Sequence, residues 1–130
     1  MSERTSEPTG EPTGEPTSEQ ARLVEHSALE LSGLIHRREV SCVEVMSAHL
    51  AQIERYNPVL NAIVALRDGD ELLAEARQRD EELAAGRSRG WMHGFPHAVK
   101  DLAAAKGLPH TAGSRIFADR VAVADDLVVA

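Results

Sequence analysis

The chain has 130 residues, a formal net charge of −7, a single cysteine and only 3% aromatic residues. The mildly acidic body argues against a nucleic-acid-binding surface, and Cys42, alone, permits no intrachain disulfide and suggests no thiolate zinc site. No apolar stretch approaches the ~20 residues of a membrane span, and the acidic N-terminus lacks the apolar core of a signal peptide, so a cytoplasmic protein is expected.

Residues 1–22 read as a leader. Over residues 1–20, Glu3, Glu7, Glu11, Glu15 and Glu19 outnumber Arg4, and EPTG-EPTG-EPTS repeats a polar, proline-containing unit over residues 7–18. Such a segment has nothing to bury and is expected to be disordered. The remaining residues, 23–130, are one domain's worth of chain, and their core must come from Ala, Val, Leu and Ile.

Helix signals begin at Ser27, three residues before Glu30, which is the spacing of a capping box. Leu31, Leu34 and Ile35 follow at helical intervals, and the pattern fades over residues 37–39. Ser41 and Glu44 repeat the device, with Val40 and Val45 spaced as a hydrophobic staple. Val45, Met46, His49, Leu50 and Ile53 mark the inner face of a second helix, expected to stop before Asn57-Pro58 because the residue preceding proline avoids the α region. The apolar, β-branched run at residues 61–66 predicts a strand. Arg-Asp-Gly-Asp then turns the chain and can cap a third helix over residues 71–85, with Leu72, Leu73, Ala76, Leu83 and Ala84 inward and Gly86 as its stop. Residues 95–99 predict a second strand. Beyond Lys100 the chain is punctuated by Gly107, Pro109 and Gly113. The apolar run after Asp125 looks like the start of a further element, which suggests that a longer chain has been cut.

Lys100 closes the second predicted strand. Side chains alternate across a strand, so Asp101 need not face it, whereas Ala98, Val99 and Leu102 offer apolar surroundings. Desolvation lowers a lysine pKa from ~10.4 by up to ~3–5 units on full burial, and a neutral amine accepts a proton. Taken locally, a surface lysine ending a strand is the simpler reading.

The wider stretch from Met92 to Ser114 changes that balance. It resembles the amidase signature family, whose entry motif is roughly L-x-G-[IV]-P-[VIF]-A-[VI]-K-D followed by G-[LI]-x-T-T-x-G-S. Gly94, Pro96, Ala98, Val99, Lys100, Asp101, Gly107, Leu108, Thr111, Gly113 and Ser114 fall on it in register. His97 and His110 depart from it, the latter standing where the family has the first of two threonines. The upstream helices resemble the family's N-terminal region, so the likeness covers residues 28–130.

The resemblance implies an α/β fold in which helices surround a mixed central sheet that is incomplete in this chain. It implies an amidase that cleaves a linear amide C–N bond of a small-molecule substrate through a Ser–cis-Ser–Lys triad, without cofactor or metal. Lys100 is the catalytic residue that maps onto the triad. The family's two serines belong to a Gly/Ser-rich segment that this sequence lacks, and Ser114 matches a structural position. The chain alone is therefore expected to be inactive. The A subunit of a glutamyl-tRNA amidotransferase is the alternative within the family, although Lys-Asp-Leu and Thr-Ala-Gly-Ser fit it less well. A non-catalytic truncated interaction module is the alternative outside enzymology.

The other candidates are weaker. His93 and His97 are four apart, but Gly94 and Pro96 between them oppose a helix, and on a strand they would stand about 13 Å apart, too far to share an ion. Cys42 reads as a small buried hydrophobe, and His49 as a packed histidine on an apolar helix face.

Overall fold

The computed structural model describes residues 22–129. The leader expected over residues 1–22 lies outside them but for Arg22. Three helices carry the first part of the fold: α1 (Ala28–His36), α2 (Cys42–Leu60) and α3 (Gly69–Ala84). A single 3₁₀ turn, Arg115–Phe117, follows in the last third.

Each helix begins where local chemistry supplies acceptors for its free N–H groups. Ser27 and Glu30 form a complete capping box on α1, and Ser41 and Glu44 form another on α2. The Asp68 carboxylate accepts from Asp70 N and Glu71 N to start α3, two residues earlier than the sequence suggests. Both α1 and α3 end in paired reverse bonds. Glu39 N and Arg38 N donate to Leu34 O and Ile35 O, and Arg87 N and Gly86 N donate to Glu82 O and Leu83 O. This termination puts the residue after the cap in the left-handed region. Gly86 meets that need freely at φ +75°, whereas Arg38 takes φ +56° despite its side chain.

Helix α2 runs through Pro58 to Leu60 instead of stopping before Asn57. The bias against helix before proline yields here because the Asn57 side chain closes two bonds of its own. Its Nδ2 donates to Ile63 O at 2.9 Å and its Oδ1 accepts from Ile63 N at 2.8 Å. Asn61 then ends the helix in the left-handed conformation and donates to Asn57 O.

Helices α2 and α3 pack together in antiparallel sense. Asp80 reaches the N-terminus of α2, while Gly69 at the start of α3 lies beside Leu50. The core is apolar: Leu31, Ile35, Val40, Cys42, Val45 and Ala76 are buried together, with Leu34, Met46, Leu83 and Phe95 packed on them. The predicted inner faces are found except at Ala84, which is exposed. Val40 and Val45, the predicted staple, share this core.

Neither predicted strand forms a ladder. Residues 61–66 and 95–99 are irregular, and the described residues contain one isolated antiparallel bridge, Pro109 with Val121. A strand is defined by its partner, and no described segment offers these two a matching edge. The mixed sheet is accordingly not seen. The apolar run after Asp125 forms a turn, its position set by Asp126 N donating to Ala104 O.

Candidate active site around Lys100

The stretch leading to Lys100 is strapped across the helices by residues 88–95. Ser32 Oγ donates to Trp91 O at 2.5 Å, and Ser88 Oγ lies 2.9 Å from His36 Nε2. His93 is buried, 2% exposed. Its Nδ1 accepts from Arg89 N at 3.0 Å, so its Nε2 carries the proton and donates to Arg79 O at 2.8 Å. The ring is a neutral brace between the strap and α3, and both nitrogens are spent. His97 is exposed, and no cluster of His, Cys, Asp or Glu able to hold a metal occurs among the described residues.

Gly94 makes the closest approach. A Cβ built on it would stand 2.2 Å from Cys42 Sγ, and its φ is +75°. Only glycine satisfies both the space and the backbone angle, which gives the Gly94 of the motif a physical reason. Cys42 on the other side is fully buried. Burial, with the Asp80 carboxylate beside it, pushes the thiol up to about 12, so it is inert packing, as its sequence context suggests. Asp80 Oδ1 and Oδ2 accept from Cys42 N at 2.7 Å and Val43 N at 3.2 Å. These bonds satisfy the two N–H groups of α2 that the Ser41 box leaves open. No local pattern announces this cap, since 38 residues separate the partners.

Lys100 follows the strap. Its carbonyl accepts from Ala103 N at 2.8 Å, closing a turn over residues 100–103. Its side chain is exposed, and among the described residues it forms no ion pair. The apolar surroundings expected from Ala98, Val99 and Leu102 are not assembled: Ala98 is exposed, and Leu102 is 67% exposed. Without a neighbouring strand, residues 95–99 build no wall beside the amine. A shallow cleft of about 380 Å³ between α2, α3 and the strap is lined by Met46, Glu75, Arg79 and Phe95, not by Lys100.

Asp101 is held by the segment over residues 111–113. It accepts from Thr111 N at 2.8 Å, Thr111 Oγ1 at 2.5 Å and Gly113 N at 3.2 Å. These donors, the Thr111 hydroxyl foremost, hold its carboxyl below the usual range, because hydrogen bonds to the charged form favour it. His110 is buried; its Nε2 lies 3.3 Å from Leu102 O and its Nδ1 meets no partner among the described residues. Ser114 N donates to Thr111 O, and its Oγ accepts from Ile116 N to cap the 3₁₀ turn. Ser114 thus caps that turn.

Comparison with known proteins shows the family. The family model described as Amidase matches residues 44–130, which include the Lys100–Asp101 turn and the Thr111–Ser114 segment. The chain is 44% identical over 97 residues to the A subunit of a glutamyl-tRNA(Gln) amidotransferase from Salinispora tropica, covering 75% of this chain and 20% of that protein. It is 39% identical over 107 residues to the protein of the same name from Acidothermus cellulolyticus, covering 82% and 21%. An acylamidase of Rhodococcus erythropolis is 33% identical over 103 residues, covering 79% and 21%. The chain spans about a fifth of the length of these relatives. With the motif in register and this family match over most of the described residues, the chain belongs to the amidase signature family.

Proposed function

We propose that residues 23–130 are the N-terminal part of an amidase domain, and that Lys100 is the general base of a Ser–cis-Ser–Lys triad cleaving a linear amide C–N bond. The observation that carries this reading is the engagement of Asp101 by Thr111 and Gly113. It spends the neighbouring carboxylate on backbone and hydroxyl donors and leaves the Lys100 amine free. In the complete site the Lys100 amine accepts a proton through the bridging serine. The second serine, so activated, attacks the amide carbonyl. Backbone N–H groups hold the oxyanion, the C–N bond breaks as the leaving amine takes a proton, and water hydrolyses the acyl-serine. Residues 61–66 and 95–99 become strands of a mixed sheet when partner segments are present, and that sheet supplies the dry wall Lys100 lacks here. The site takes a small-molecule amide and is cytoplasmic.

A second reading is favoured by the relatives. Those at 39–44% identity are named as amidotransferase A subunits, against 33% for the acylamidase. The same lysine chemistry would then release ammonia from an amide donor for a tRNA-linked acceptor. A chimera in which residues 22–130 replace the matching part of the Rhodococcus acylamidase tests the role of Lys100. Lys100→Ala in it is expected to lower kcat by roughly 10²–10⁴-fold, the worth of a positioned base. The chain by itself is expected to turn over no amide. Hydrolysis by the isolated chain that Lys100→Ala abolishes would overturn the three-residue assignment.

A further inference from the structure

The turn that presents Lys100 is pinned at both of its central residues by one segment. Asp101 takes three donors from Thr111 and Gly113, and the Leu102 carbonyl faces His110 Nε2 at 3.3 Å. Because His110 Nδ1 meets no partner among the described residues, the Leu102 carbonyl is that ring's anchor, and the contact requires the proton on Nε2. We propose that Asp101 is a positioning residue for Lys100, clamping the turn over residues 100–103 to Thr111 and Gly113, with His110 as a weaker second pin on the same turn. The clamp rests on the reading of Lys100 as the base only for its catalytic consequence; its geometry stands apart from that reading.

The two pins differ in strength. A carboxylate taking two backbone N–H groups and a hydroxyl is a charge-assisted site. The His110 contact is long for an N–H···O bond. Asp101 should therefore dominate. The titratable group whose charge acts on its carboxylate is His110; Lys100 is its neighbour in sequence. Since the folded Asp101 carboxyl titrates below the ordinary 3.8, the clamp is complete above that value and is lost as pH falls through the lower, folded one.

The test begins with the 130-residue chain in solution. Amide proton shifts of Thr111 and Gly113 are followed from pH 7 to pH 2. Both are expected to move together in one transition below pH 3.8, and that transition is expected to vanish in Asp101→Asn. Asp101→Asn should speed amide exchange at Thr111 and Gly113 by about tenfold or more, with Val45 and Ala48 in α2 unchanged. His110→Ala should have a smaller effect on the same amides. If Asp101→Asn unfolds the helices, Thr111→Val removes the hydroxyl donor alone and is expected to shift the Asp101 transition upward. Amides that ignore the Asp101 titration, or exchange rates within about twofold of the parent, overturn the clamp. In the acylamidase chimera, Asp101→Asn should lower kcat roughly tenfold to a hundredfold with KM nearly unchanged, as expected when a reacting group is misplaced. Unchanged kcat overturns the positioning role. A chimera whose activity survives Lys100→Ala overturns the base assignment and with it that role, while the exchange measurements still report on the clamp.

Discussion

The helical part, residues 28–95, and the loop part, residues 96–129, are held together by different forces. The first buries Leu31, Ile35, Val40, Cys42, Val45 and Ala76 in one apolar cluster. The second buries His110 and Ala122 and leaves Leu102, Ile116, Val121, Val123, Leu127 and Val128 exposed. In place of a core it has turns and loop bonds between backbone groups, and four of its N–H groups are taken by carboxylates. Asp101 takes those of Thr111 and Gly113, Asp125 that of Lys106, and Asp126 that of Ala104. Apolar burial contributes cooperatively and without direction. A carboxylate on an N–H group is directional and fixes a position. Lys100 therefore sits on the part that is buried least.

The strap at Gly94 joins the two parts, and breaking it should have the largest effect. Gly94→Ala drives a Cβ into Cys42 Sγ at a left-handed φ. Overpacking costs roughly 1–3 kcal/mol, and the backbone angle adds roughly 1–2 kcal/mol. The melting temperature of the helical part should fall sharply in a thermal scan followed by circular dichroism. Cys42→Ala in the same chain should return the overpacking share but not the backbone share. A double variant no better than Gly94→Ala would show that the contact with Cys42 is not what excludes a side chain there.

Asp80→Ala comes next. It leaves Cys42 N and Val43 N without their acceptor at the buried start of α2, where losing a cap costs about 1–2 kcal/mol. Since the Asp80 carboxylate is one of the causes that raise the Cys42 thiol, its removal should also lower that pKa. Faster reaction of Cys42 with a thiol reagent, at a pH where the fold is intact, checks it. Unchanged stability would mean that the apolar core, not the cap, holds α2 against α3.

What the sequence reveals follows a different line, between contacts local in the chain and contacts distant in it. The boxes at Ser27–Glu30 and Ser41–Glu44 are readable because both partners lie within one turn, and the Asp68 cap and Gly86 stop are equally local. The motif around Lys100 is readable because its register is linear. Asp80 over α2, Gly94 against Cys42 and the His93 brace are invisible, because each depends on elements distant in the chain brought together by packing. The strand expectations at residues 61–66 and 95–99 fail for the complementary reason. Their apolar composition, β-branched at Ile63, Val64 and Val99, describes a surface that fits a sheet, and composition cannot supply the neighbouring strand. Pro58 within α2 shows a local rule outweighed by Asn57, whose side chain bonds six residues ahead.

The smallest expected effect lies in the loop part, where it separates positioning from stability. Asp126 accepts from Ala104 N at 2.8 Å while its own N–H donates to Ala104 O at 2.9 Å. Asp126→Ala removes the first bond and keeps the second. An exposed bond of this kind contributes about 0.5–1.5 kcal/mol, and here no apolar core spreads its loss. Amide exchange at Ala104 should therefore quicken, while the melting temperature of the helices stays within about 2 °C, since roughly 1 kcal/mol moves a domain of this size by several degrees only when it is felt globally. A matching fall in helical melting would mean that the loop part is coupled to the core more tightly than its exposed apolar surface suggests. In that case the Lys100 turn would draw its position from the core through the Gly94 strap as well as from Asp101.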